Sequence, residues 1–125
     1  MAVINPTITQ KGDLNIVQWV GLANLDSGAP YAFPQWADRS VQVSGTFGVG
    51  GSVRWEGSNL AAPSVDADYA VLTDPQGNDL NIVAAKIEAV TEIVRFARPR
   101  MTAGDGTTAL TVTLVAFNSR TARGG

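Results

Sequence analysis

Residues 107–117 read TTALTVTLVAF. Leu110, Val112, Leu114 and Ala116 alternate there with Thr111 and Thr113, and a period of two in β-branched residues is the pattern of a strand buried on one face. The first four are therefore predicted to point into a core and the two threonines to point out. The same pattern recurs upstream. In RSVQVSGTF, residues 39–47, Val41, Val43 and Phe47 share a face opposite Gln42, Ser44 and Thr46, and in SVRWEGS, residues 52–58, Val53 and Trp55 alternate with Arg54 and Glu56. LNIVQWVGL, residues 14–22, sets Trp19 on the face opposite Leu14, Ile16 and Leu22, as core or as cover, whereas Trp55 reads as core.

Shorter candidates, residues 69–73 and 80–83, flank DPQGND, whose Pro-x-Gly is a strong turn signal. The composition of residues 84–90, AAKIEAV, also suits a helical turn, which alone is marginal. Residues 91–97 complete the set. About seven or eight strands spaced by turns predict an all-β chain, a single antiparallel sandwich of jelly-roll type.

Upstream of the opening stretch lies RFARPRMTAGDG, residues 95–106. Pro99 lacks a donor and predicts a strand end at a sheet edge, carrying Arg98 and Arg100. AGDG has two readings. One is a backbone-amide nest for an anion; the other is a hairpin turn into the last strand, with glycines at positive φ and Asp105 bonding its own backbone. The absence of P-loop spacing favours the turn.

Three stretches fall outside the strand pattern. Residues 1–12 read as an extended arm, residues 24–38 as a long loop rich in aromatics and proline, and residues 118–125 as a flexible basic tail, which leaves 13–117 as the sandwich. These extensions supply most of the predicted partner contacts: Ile4, Pro6 and Ile8; Tyr31, Phe33 and Trp36; Arg120 and Arg123. Arg98 and Arg100 are predicted to meet acidic side chains of a neighbouring subunit.

The chain of 125 residues has neither cysteine nor histidine. That excludes disulfides, thiolate metal sites and His-based triads. The net charge is −2, but residues 95–125 carry five of the nine basic residues and only Asp105 among the eleven acids. A polarised molecule suits a charge-complementary neighbour. Nucleic acid is disfavoured as that neighbour because the chain is acidic overall.

The N-terminus has no basic-then-apolar leader, and no apolar run approaches a membrane span. A soluble protein made in the cytoplasm is expected. Asp66, Asp68, Asp74 and Asp79 do not match an EF-hand loop and read as turn residues. Glu56, Glu88 and Glu92 offer no defined carboxylate pair. Glu92 with Arg95, and Glu56 with an Arg54 on an adjacent strand, are expected as surface or interface ion pairs. No catalytic residue, metal ligand or cofactor site is predicted.

WADRSVQVSGTFGVGGSVRWEGSN, YAVLTDPQGNDL and IEAVTEIVRFARPRMTAGDGTTALTVTL together resemble small tailed-bacteriophage structural proteins of the capsid decoration, or cement, type. That family pattern runs drsVqv.GTFg…EGSN, then W..L.dpqG, then RP…GgdGtt.ltv.l, and the likeness spans about residues 14–117. After EGSN this chain has LAAPSVDADYAVL where EGSND and a tryptophan would be expected, with Tyr69 in the aromatic position. The resemblance implies a β-sandwich on the outer capsid surface of a virion. Its partners would be the major capsid protein and further copies of itself, as a dimer or trimer. A tail, fibre-base or head–tail connector component is the alternative, and a carbohydrate-binding module a more distant one.

Overall fold

In the computed structural model, which describes residues 2–32 and 38–117, the chain forms two facing β-sheets. Its strands are β1 (Val3–Ile4), β2 (Thr7–Lys11), β3 (Leu14–Leu22), β4 (Ser27–Gly28), β5 (Tyr31–Ala32), β6 (Asp38–Thr46), β7 (Ser52–Ser58), β8 (Ala70–Val71), β9 (Asn81–Ile82), β10 (Lys86–Ala89), β11 (Phe96–Ala103) and β12 (Ala109–Phe117). One sheet runs β1-β4-β11-β7-β8, with β5 also on β11 and β9 on β7. The other runs β10-β6-β12-β3-β2. Every pairing is antiparallel except β1 with β4. This is the predicted sandwich.

The opening stretch is the central strand of its sheet, between β6 and β3, and Leu110, Val112, Leu114 and Ala116 are completely buried. They face Val53, Trp55, Ala97 and Met101 of the opposite sheet across the core. Trp19 belongs to that core rather than to the cover. Alternation with the buried Asn15 and Val17 turns it inward, and a β-bulge then brings Leu22 to the same face: Leu110 pairs with Leu22 but Val112 with Trp19, so β3 carries one residue more than β12 between these pairs. Gly21, at φ 79°, takes up the extra residue and returns Leu22 to the Trp19 face. Leu14 and Ile16 are left half-buried on the outer face.

The 1–12 segment is extended, as expected, yet its described residues are strands of the sandwich rather than a free arm. β1 lies in one sheet and β2, paired with β3 over its whole length, forms the edge of the other. Within residues 84–90, Lys86–Ala89 is strand rather than a helical turn, with β10 on the open side of β6. The turn at 74–79 forms as read: Asp74 accepts N–H bonds from Gln76 and Asn78, and Gly77 sits at φ 87°. Its flanks, β8 and β9, both line the free edge of β7.

Pro99 is not a strand end. It occupies the middle of β11 opposite Trp55, whose N–H and C=O turn away from β11 to Leu80 and Leu72. Such a pair exchanges no ladder bonds, so the nitrogen of Pro99 faces the other side. There β11 meets the break between β4 and β5, and no hydrogen bond is forfeited.

AGDG is a turn, but it links the two sheets rather than closing a hairpin: β11 lies in one and β12 in the other. Gly104 and Gly106 are not at positive φ. Asp105 bonds the backbone of its own turn, as expected, and reaches across to the reverse crossing, residues 47–51, where it accepts the Val49 N–H at 2.8 Å. It also accepts the Thr107 N–H at 2.9 Å and the Thr107 hydroxyl at 2.7 Å. Gly48, at φ 69°, is required on both counts, because a Cβ there would lie 2.3 Å from Asp105 Oδ1. The anion gripped by this loop is the protein's own carboxylate.

These donors, the Val49 N–H foremost, pull the Asp105 carboxyl from 3.8 down to about 2. A depressed folded-state value stabilises the fold above the ordinary carboxyl range, and that stability is lost as pH falls towards 2. Asp105→Asn should therefore flatten the acid limb of the stability profile. Urea midpoints measured from neutral pH down to the Asp105 titration test this; parallel profiles for the two proteins would refute it.

Candidate functional site

On β7 and β11 the residues between the core positions face outward. Arg54, Glu56 and Ser58 alternate with Val53, Trp55 and Gly57, while Arg98 and Arg100 alternate with Ala97, Pro99 and Met101. Register then places Arg100 directly opposite Arg54 and Arg98 directly opposite Glu56. Three guanidinium groups thus surround one carboxylate. Arg98 Nε donates to Glu56 Oε2 at 2.7 Å, Arg100 Nε to both oxygens at 3.1 Å, and Arg54 Nε lies 3.1 Å from Oε1.

An outward face would ordinarily be solvated, but Glu56 is 0% exposed and Arg98 only 8%. The cover is the segment between β7 and β8. Its single 3-10 turn, Asp66–Asp68, is held by the Asp68 carboxylate on the N–H groups of Ser64 and Val65, which lower the Asp68 pKa. The turn brings Asp66 to Arg98 Nη2 at 2.6 Å and, through Tyr69, lays an aromatic ring 3.9 Å from Arg98 Cζ. Burial alone would lower the Arg98 pKa, yet the bonds to Glu56 and Asp66 outweigh it and raise the value. Burial raises the Tyr69 phenol, and Arg98 partly opposes the shift.

Beside this cluster are two open depressions. One of about 180 Å³ is bounded by Leu25, Ser27, Asp66, Arg100, Met101 and Thr102. The other, about 520 Å³, lies beyond Tyr69, between Leu60, Asp68, Leu72, Glu92 and Val94.

Arg98 and Arg100, expected at a strand end against a neighbouring subunit, are mid-strand and pair within their own chain. Cross-strand register, which no local pattern carries, brings them to Glu56. Arg54 and Glu56 are on the same strand, two residues apart, and of their pair Glu56 is buried while Arg54 stays part-exposed. Glu92 does not pair with Arg95. It accepts from the Thr73 N–H at 2.7 Å and from the Thr73 hydroxyl, and it faces the buried Arg39. Burial works to raise the Glu92 pKa, but the Thr73 bonds hold it low.

The extension residues are scattered. Ile4 is half-buried against the core, Pro6 half-buried at the crossing between sheets, and Ile8 is 54% exposed on the edge strand. Tyr31 packs on the core and accepts a hydrogen bond from Asn15 Nδ2, its pKa raised by burial against that bond. Phe33, Trp36, Arg120 and Arg123 lie outside the described residues, as does the 118–125 tail. Sequence reading missed the grouping of Arg54, Glu56, Asp66 and Tyr69. The alternations Arg54-x-Glu56 and Arg98-x-Arg100 were its visible signal.

Among the described residues no group of three or more Asp or Glu is placed to hold a metal ion.

No protein-family model matches the chain, and no curated protein matches it in sequence. Among solved structures, the crystal structure of SPBc2 prophage-derived protein YomS is similar in fold. The TM-score is 0.59 at 8% identity, over 82% of this chain and 93% of that one.

Proposed function

We propose that this chain is a structural protein of a tailed-bacteriophage virion, one that decorates the outer capsid surface and clamps neighbouring major capsid subunits. The observation that carries the reading is the fold shared with a prophage-derived protein across nearly the whole of that chain. One sandwich hosts many functions, so the residues must agree. The motif stretches that resemble cement proteins are the ones that build the Gly48–Asp105 strap and the Glu56 cluster.

A clamp also needs a face to present. The outer side of the β10-β6-β12-β3-β2 sheet places Leu14 beside Phe117 and Ile16 beside Val115, followed by Gln18, Thr113 and Gln42 in the next row. Lys11 and Asp38 are the charges at the Leu14–Phe117 end of this face, paired in register with those two residues. Weakly charged and part apolar, it suits a large protein partner better than solvent. Copies associate as dimers or trimers over repeated capsid sites, where many modest contacts add up.

A tail or connector component is the second reading, since the same fold would serve it. Quantitative mass spectrometry of purified particles separates the two: copies are expected in fixed ratio to the major capsid protein. A single ring's worth of copies would overturn decoration in favour of a connector. The carbohydrate-module reading rests on Trp36, which lies outside the described residues, because Trp19 and Trp55, at 0% and 2% exposure, are closed to a sugar.

A further inference from the structure

Arg54 and Arg100 stand directly opposite one another on β7 and β11. Like charges in such a pair repel; Arg100 donates its Nε to Glu56 at 3.1 Å, whereas Arg54 Nε comes within 3.1 Å of the same carboxylate as an ion pair without a hydrogen bond. Arg98 is spent in a different way, with Nε on Glu56 and Nη2 on Asp66. Arg54 meets Glu56 through Nε, which makes no hydrogen bond among the described residues, and Arg100 adds only a 3.9 Å approach of Nη1 to Asp66. The two side chains remain 28% and 23% exposed. Arg54, Arg98 and Arg100 against Glu56 and Asp66 leave the cluster one positive charge in excess.

The flanking positions supply more donors. Register sets Ser27 beside Arg100 and Asn81 beside Arg54, so one row across four strands reads Ser27, Arg100, Arg54, Asn81. The depression of about 180 Å³ opens at the Ser27 and Arg100 end of this row.

We propose that the Arg54–Arg100 pair is a docking site for an acidic side chain of a partner polypeptide. A guanidinium fork matches a carboxylate in two parallel bonds, and the excess charge asks for one further anion. An extended polyphosphate suits it poorly, because Asp66 lines the same depression and the chain carries a net charge of −2. That the partner is protein rests on the virion reading; the pairing of the arginines does not.

The test is fluorescence anisotropy of the intact protein at low ionic strength. The probe is a labelled Gly-Ser peptide bearing two adjacent glutamates, with its glutamine counterpart and a labelled oligothymidylate alongside. The glutamate peptide is expected to bind, and Arg54→Gln to weaken it about tenfold, the loss of one charge-assisted contact. Arg54→Lys keeps the charge facing Glu56 but loses the fork, and should give a smaller loss with unchanged thermal unfolding. Arg95→Gln, outside the pair, should have no effect. Equal binding of the glutamine peptide, preference for the oligothymidylate, or indifference to both Arg54 variants would overturn the site. Particle stoichiometry does not enter this measurement, so the site and the virion reading fail separately.

Discussion

Glu56→Gln is expected to lower the unfolding free energy by about 3–5 kcal/mol, the usual consequence of removing one partner from a buried ion pair. The side chain keeps its shape, so no cavity complicates the result. What changes is that the Glu56 charge no longer balances Arg98, which is 8% exposed with its other anion, Asp66, at the surface. Arg100 and Arg54 would then repel each other across the strands without the carboxylate both of them face. Urea denaturation at neutral pH measures the loss, and a drop below about 1 kcal/mol would show that the cluster behaves like a surface pair. Adding Arg98→Met should recover part of the loss, because an apolar side chain leaves no buried charge to balance. The same geometry explains why charge reversal at Arg98 and Arg100 would injure folding as well as any assembly.

Trp19→Ala is expected to cost about 3–5 kcal/mol, in the range for truncating a large buried aromatic. Trp19 is 0% exposed and meets Trp55 edge to face, with ring centroids 5.6 Å apart. Its Nε1 donates to the Ala29 carbonyl at 3.0 Å, tying β3 to the segment between β4 and β5. The ring also lies so close to Gly28 that a Cβ there would come within 2.6 Å of it and within 2.7 Å of Pro99 Cδ. Trp19→Phe should cost less, since it keeps most of the packing and forfeits the hydrogen bond. Chemical denaturation with tryptophan fluorescence follows both variants. A Trp19→Ala protein as stable as the parent would mean that Trp19 is cover after all.

Periodicity made most of the strands legible. Residues 110–114 alternate apolar and polar, and all four residues of the last strand assigned inward are buried. The same reasoning left Trp19 open as core or cover and put Leu22 on the wrong face, because Gly21 inserts an extra residue in β3 and a bulge exchanges faces without altering composition. Pro99 misled for a related reason. A proline stops a strand only where its missing N–H was needed, and that depends on what lies alongside. Residues 1–12 read as an arm because short, exposed strands carry little hydrophobic signal; pairing with β4 and β3 orders β1 and β2.

For the site, the residues were visible but their partners were not. Arg98 and Arg100 stood out, and register alone decided that their first acid is Glu56, more than forty residues upstream. The same holds for Asp105, which grips a crossing more than fifty residues away. By itself the sequence determined an all-β sandwich without cysteine or histidine chemistry, since strand periodicity and composition are local properties of the chain. Only the tertiary structure decided that the arginines of RFARPR enclose a buried carboxylate, and that GDG straps two sheet crossings together. Cross-strand register and the 59–69 cover create those environments, and both arise from contacts between segments far apart in sequence.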